Sequence, residues 1–258
     1  MQGSVIALTF DDGYLDNYQE AKPILDKYGV EATFFVPVQP IDSGKVYWWD
    51  HLYDVFRRNF EDFTLWLEKF QIGSEVLEMQ GKGNAVDLCA RNLVRRLNSM
   101  TLEQRENILQ AMNSEFGAYT GKRLLMSWQE IRRLEKDGFE IGSHTVSHVP
   151  LTDLSIPRAE QEISKSKYLL AEKVSSGVQG FCYPRGQFNP ELADLVRNAG
   201  YDYAVTTRFG ANGPRVDPFC LQRRNISDYK GIRSMFPVTM HMLEISGRLD
   251  SVLASRRN

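Results

Sequence analysis

Two carboxylates stand side by side near the start of the chain, at Asp11 and Asp12. They follow an apolar run at positions 5–8, which is typical of a short buried strand, and they precede Gly13. Adjacent carboxylates repel each other, so a bound cation is a simple way to stabilise both at the end of a strand. The pair Asp12-Gly13 is also a common turn former, and these residues alone favour a turn.

Two of the chain's four histidines, His144 and His148, lie four residues apart after a second apolar stretch at 139–143. Read alone, these histidines favour turn or capping hydrogen bonds. One carboxylate with two imidazoles is, however, a common ligand set for a divalent metal. The two motifs taken together therefore favour a metal site, with the second carboxylate left free for proton transfer.

The elements around these motifs alternate between strand and helix. An amphipathic helix follows the acid pair and ends near Gly29, and further capping signals stand at Ser127 with Glu130. Strands are predicted at 31–38, 139–143, 179–183 and 201–207, so the polar motifs fall just after strands. This order predicts an α/β fold with parallel strands and a site at their carboxyl ends, as in α/β barrels.

A mainly helical insertion is predicted at about 40–119, within a single catalytic domain spanning 1–258. Strand patterns disappear there, and Thr101 with Gln104 forms a capping box for one of its helices. Trp49 and its aromatic neighbours Trp48 and Tyr53 are candidates for stacking on sugar rings, although aromatic residues in a helix more often form its packing face. The insertion is expected to be a lid that controls which substrate is accepted, or else a packing or dimerisation surface.

The composition of the chain limits which binding partners and cellular locations are expected. The chain has 258 residues, 42% hydrophobic, and a formal net charge of -2, which gives no general reason to expect nucleic acid as a partner. No apolar run is long enough to span a bilayer, and the N-terminus resembles no export signal, so a cytoplasmic location is expected. Three widely spaced cysteines are predicted to be reduced thiols.

Three motifs resemble those of the polysaccharide deacetylases with a NodB-type domain, also called carbohydrate esterase family four. They are Thr9-Phe10-Asp11-Asp12-Gly13, His144-Thr145-Val146-Ser147-His148 and Phe181-Cys182-Tyr183-Pro184-Arg185-Gly186. The resemblance covers roughly 5–38 and 127–226 and implies a distorted, incomplete (β/α) barrel. It also implies metal-dependent hydrolysis of acetyl groups on a poly- or oligosaccharide, as in members that act around exopolysaccharides.

Site roles follow from the same resemblance. Asp12, His144 and His148 are expected to ligate a divalent metal, usually zinc, whose water is the nucleophile, and Asp11 is expected to be the general base. The backbone N–H of Arg185 is expected to help hold the oxyanion, because Arg185 occupies the place of an aromatic residue in the family's third motif. Tyr183 and Trp49 complete the prediction as candidate substrate contacts.

The sequence departs from the family pattern at two functional positions. Cys182 stands where many members have an arginine that orients the catalytic aspartate, so another arginine, with Arg223 as the candidate, is needed for that task. A late Leu-x-x-His motif that supplies a general acid is also absent, since His241 lies in an unrelated context.

Two other functions stay open at this point. The missing late histidine is compatible with a glycan-binding domain that keeps the fold without turnover. Two histidines and one carboxylate also suit non-haem iron oxygenases, although those usually have another architecture.

Overall fold

A computed structural model describes residues 6–72 and 85–226. The chain consists of two compact units, Ser43–Leu125 and the remainder, which we call the helical unit and the α/β unit. The predicted insertion bounds were about 40 and 119. Among the described residues, no helix is both long enough and apolar enough to span a membrane.

The described part of the α/β unit contains six strands, all paired in parallel in the order of the sequence. They form a curled half-barrel. The strands are β1 (Leu8–Phe10), β2 (Ala32–Val36), β3 (Glu140–Ser143), β4 (Gly180–Cys182), β5 (Tyr203–Phe209) and β6 (Leu221–Arg223). Every residue of β2 is buried, as expected for an inner strand of a parallel sheet covered on both faces.

The helices of the α/β unit connect these strands. They are α1 (Lys22–Tyr28), α2 (Val38–Ser43), α7 (Trp128–Lys136), α8 (Ile156–Ala171) and α9 (Pro190–Asn198). Gly29 ends α1 in the left-handed conformation, as predicted. The predicted first helix begins instead as a π-helix at Asn17–Ala21, because Pro23 has no N–H to continue an α-helical ladder. The capping box of Ser127 and Glu130 is confirmed.

The helical unit is built on α3 (Trp48–Arg58), α4 (Phe60–Glu68), α5 (Ala85–Asn98) and α6 (Leu102–Phe116). The predicted capping box of Thr101 and Gln104 begins α6. Buried side chains from all four helices form one apolar cluster, in which Phe63 is stacked on Trp66. Trp48 and Tyr53 pack against this cluster, which favours the packing interpretation for those two aromatic residues.

Candidate active site

The predicted metal ligands converge at the carboxyl end of the sheet. Asp12 follows β1 by two residues, and His144 follows β3 directly. Asp12 Oδ1 lies 3.2 Å from His144 Nε2 and 2.9 Å from His148 Nε2, and the two imidazole nitrogens are 3.2 Å apart. Parallel strands bring their carboxyl ends to one edge, so residues 132 positions apart become neighbours by topology.

The donor atoms fit a tetrahedral divalent ion. Ligands about 2.0–2.1 Å from zinc are about 3.3 Å from one another, close to the separations of the three atoms here. His144 Nδ1 lies 2.7 Å from the Cys182 carbonyl oxygen, which is an acceptor. Nδ1 therefore carries a proton, and Nε2 of His144 faces Asp12 and His148. Although burial opposes a charged ring, the neighbouring Cys182, Asp12 and Asp11 raise the pKa of His144, so without a cation its Nε2 also carries a proton and donates to Asp12.

Burial and nearby charges determine the protonation states of the predicted ligands. Burial alone opposes ionisation of Asp12, but hydrogen bonds to His144 and His148 outweigh it and hold the pKa of Asp12 well below its usual value. Burial lowers the pKa of His148, and the nearby charge of Arg185 acts in the same direction. An ionised Asp12 and a neutral His148 are the protonation states that metal ligation needs, whereas a bound ion would have to replace the Nε2 proton of His144.

The backbone at these ligands is strained. Asp12 has φ 71°, Thr145 has φ 67° and His148 has φ 61°, in the left-handed region that costs a residue with a β-carbon about 1–2 kcal/mol. A β-branched residue such as Thr145 is a genuine outlier there. Its side chain compensates in part, since Thr145 Oγ1 accepts a hydrogen bond from the backbone N–H of His148 at 3.0 Å.

Asp11 is held by a two-pronged ion pair. Arg223 Nη1 donates to Asp11 Oδ1 at 2.9 Å, and Nη2 donates to Oδ2 at 2.7 Å. Burial opposes ionisation of Asp11, but the arginine contact prevails and its pKa is lowered. Arg223 lies at the end of β6, so the structure brings together the two residues that the sequence paired for this role.

Sequence reasoning did not single out the groups that fix Arg223. Its Nε donates to the Thr206 carbonyl at 2.8 Å, and Nη1 also donates to Thr9 Oγ1 at 3.0 Å. Thr9 belongs to the first motif, so its position before Phe10-Asp11 was an available signal. The Thr206 carbonyl has none, because a backbone acceptor is independent of side-chain type.

A second cluster of metal-capable atoms, from Asp11, His144 and Cys182, does not make a second cation site. Arg223 Nη2 contacts both Asp11 Oδ2 and Cys182 Sγ, the latter at 3.4 Å. Burial raises the pKa of the Cys182 thiol, which keeps it protonated, and its Sγ lies 3.5 Å from Asp11 Oδ2. A guanidinium therefore already supplies the positive charge at this position.

The third motif forms a rigid turn at Pro184–Gly186. Arg185 has φ 58°, and Gly186 has φ 67° with the Thr207 backbone nitrogen only 2.2 Å from where a β-carbon would lie. Gly186 is therefore required by close approach as well as by conformation. Thr207 Oγ1 donates to the Arg185 carbonyl at 3.0 Å, and the role of the Arg185 N–H toward an oxyanion stays a prediction.

The structure contradicts direct substrate contact by the Tyr183 side chain. The side chain has 0% exposure, its hydroxyl donates to the Phe219 carbonyl at 3.0 Å, and its ring stacks on Phe188. The residue follows β4 but still faces the interior, which a motif position does not reveal. Tyr183 is a core residue that supports the turn after it.

Two further predictions concern Trp49 and His241. Trp49 lies in the helical unit, half-buried and stacked on Tyr47 with ring centroids 4.3 Å apart, so its contact with substrate stays a prediction. His241, already an unsuitable match for the general acid, lies outside the described residues.

The chain matches known proteins in sequence. The sequence model described as polysaccharide deacetylase matches residues 1–204. YxkH of Bacillus subtilis (strain 168), named as a candidate polysaccharide deacetylase, is 22% identical over 222 residues, which are 86% of this chain and 51% of that protein. The chain thus spans about half the length of this curated relative.

Two solved structures share the fold. Streptococcus pyogenes deacetylase PplD, determined in complex with acetate, has a TM-score of 0.53 at 18% identity, covering 85% of this chain and 63% of PplD. IcaB from Ammonifex degensii has a TM-score of 0.50 at 18% identity, covering 88% of this chain and 70% of IcaB. These likenesses confirm the predicted distorted, incomplete (β/α) barrel, and the match of the sequence model confirms the resemblance that the three motifs carry.

Proposed function

Because the chain belongs to the polysaccharide deacetylase family, we propose that it is a metal-dependent hydrolase that removes acetyl groups from a poly- or oligosaccharide. The N-acetyl group, held by a carbon–nitrogen bond, is the expected target. The observation that carries the proposal is the convergence of Asp12, His144 and His148 beside a second carboxylate that an arginine holds in place. Zinc is the expected ion.

The ligand set divides the work between the two aspartates. Asp12, His144 and His148 would hold the ion, which when bound lowers the pKa of water towards neutrality and polarises a carbonyl. Asp11 stays off the ligand set because both its oxygens are paired with Arg223. An ionised, oriented carboxylate next to the site would accept the proton of the attacking water.

The turn at 184–186 would serve the other half of the reaction. Acetyl transfer to water places negative charge on the carbonyl oxygen, and backbone N–H groups held rigidly stabilise such charge without reorganising. The positive φ of Arg185 and the close packing of Gly186 fix the direction of this backbone. We propose that the Arg185 N–H acts here, with its guanidinium as an additional local positive charge.

Release of acetate tests the proposal. The purified protein should release acetate from an N-acetylated oligosaccharide, lose this activity with a zinc chelator, and regain it with added zinc. His148→Ala should lose most bound metal, because one of three ligands is removed. Stoichiometric metal in that variant overturns the ligand assignment, and absence of acetate release from a zinc-loaded protein favours a glycan-binding domain without turnover. The cytoplasmic location stays a prediction.

A further inference from the structure

The turn that carries His148 is held from two sides. On one side, the backbone N–H groups of Val38 and Gln39 donate to the carbonyls of Thr145 and Val146, at 3.2 and 2.8 Å. These contacts leave the N–H groups of the same turn to be satisfied from elsewhere. Because Thr145 and His148 are both left-handed, the turn needs such outside support to persist.

Glu162 supplies the other side. Its Oε2 accepts hydrogen bonds from the backbone N–H groups of Val146 and Ser147, both at 2.9 Å, and its Oε1 accepts from Ser147 Oγ at 2.7 Å. Three donors on one carboxylate form a charge-assisted cluster, which is stronger than neutral hydrogen bonds. All three donors lie between the two histidine ligands.

The helix that presents Glu162 is itself fixed to the sheet. In α8, Ser166 lies one turn after Glu162 and is fully buried, and its Oγ accepts a hydrogen bond from Ser143 Oγ at 2.8 Å. Ser143 precedes His144 directly. Residues four apart share a helix face, so one face of α8 contacts the chain on both sides of His144.

We propose that Glu162 is a positioning residue for the metal site, holding the 145–148 turn in the conformation that places His148 Nε2 beside Asp12 and His144. The proposal rests on the ligand role of these residues given under the proposed function. Outer groups that orient ligands commonly change metal affinity by about 10- to 100-fold. Glu162 acts on the backbone of the turn, whereas the Cys182 carbonyl acts on the His144 ring.

The test compares zinc affinity in four proteins, by competition with a chromogenic chelator. Glu162→Ala should raise the zinc Kd by about 10- to 100-fold. Glu162→Gln should lie between Glu162→Ala and the wild type, because its carbonyl oxygen still accepts from the two backbone N–H groups while its charge is lost. Glu160→Ala is the matched control, since Glu160 is exposed on the same helix and should keep the wild-type Kd. A wild-type Kd in Glu162→Ala overturns the proposal.

Amide hydrogen exchange of the metal-free proteins separates this proposal from the proposed function. Exchange at Val146 and Ser147 should accelerate at least about tenfold in Glu162→Ala and stay unchanged in Glu160→Ala, because each lost hydrogen bond exposes an N–H to water. If the wild type binds no zinc, the proposed metal site is wrong, while accelerated exchange in Glu162→Ala still shows that Glu162 holds the 145–148 turn. Unchanged exchange in Glu162→Ala shows that Glu162 does not hold this turn and overturns the proposal. Should Glu162→Ala not fold, the same measurements on Glu162→Gln and Ser147→Ala decide the matter.

Discussion

The two units of the chain differ in how many of their described residues adopt a strained backbone conformation. Five described residues other than glycine have positive φ, and four of them, Asp12, Thr145, His148 and Arg185, lie in the three motifs of the α/β unit. Among the described residues of the helical unit, Gln71 is the one such residue. The helical unit instead contains an aromatic cluster in which Phe63 stacks on Trp66 and meets other rings edge-on.

This contrast indicates that the two units have different tasks, chemistry in one and choice of substrate in the other. Left-handed residues persist only where the surroundings over-determine them, and they concentrate at functional sites. Among the described residues, both clusters of metal-capable side chains lie in the α/β unit. The helical unit is stabilised by burial and ring packing, which require no such conformations. We therefore expect chemistry to depend on the α/β unit and the helical unit to affect only the choice of substrate.

The largest expected effect is in the α/β unit. Asp11→Asn keeps the shape of the side chain and removes the basic oxygen, so turnover should fall by about a hundredfold or more while bound zinc stays stoichiometric. Acetate release and metal content, measured on the same preparation, check this. Near wild-type turnover with metal retained would exclude Asp11 as the base and would weaken the assignment of chemistry to this unit.

A second, smaller effect should appear in alkaline stability. Burial raises the pKa of Tyr201 to about 12, from about 10 in an unfolded chain, although hydrogen bonds with Ser143 and Ser166 oppose the shift. The neutral phenol is thus favoured by folding. This contribution is complete below pH of about 10 and is lost as pH rises towards 12, by up to about 2–3 kcal/mol.

Tyr201→Phe removes that loss. The free energy of unfolding, measured in urea at pH 8 and at pH 11, should fall less between the two pH values in Tyr201→Phe than in the wild type. Tyr28→Phe is the control, because Tyr28 is 67% exposed in the same unit. Identical pH dependence in all three proteins would contradict this prediction. It would mean that ionisation of Tyr201, which is buried with Ser143 and Ser166, does not affect the stability of the α/β unit.

The motifs were predictable because each belongs to a short strand end. The two motifs and the family resemblance predicted the ligands and Asp11, and parallel topology brings these residues together at one edge of the sheet. Arg223 was harder to identify, since Arg224 beside it has the same charge and 212 positions separate Arg223 from Asp11. Only the register of β6 against β5 distinguishes the two arginines.

Other features had no local signal. Tyr183 was predicted to contact substrate, but its motif fixes the turn after it and not the direction of its ring, which is buried. Glu162 looks like any polar residue of an amphipathic helix, since its partners are backbone N–H groups. The bounds of the helical unit depend on contacts between elements, whereas Thr101 and Ser127 reveal helix starts through side-chain chemistry.

The smallest expected effect belongs to the helical unit. Trp49 is half-buried and stacked on Tyr47, so part of its ring surface is already used within the unit. If the remaining surface stacks on a sugar ring, Trp49→Ala should lower kcat/KM for an acetylated oligosaccharide by about two- to tenfold. Turnover of a small acetylated ester, which lacks neighbouring sugars, should not change.

Leu65→Ala is the matched control for this prediction, because Leu65 is 63% exposed in α4 of the same unit and offers no aromatic face. It should leave both substrates unaffected. A loss confined to the oligosaccharide in Trp49→Ala assigns substrate choice to the helical unit. Equal losses on both substrates would instead mean that Trp49 supports the fold on which the chemistry depends. No loss on either substrate would mean that the ring serves only as a packing surface. Either result would contradict the proposed division of tasks between the two units.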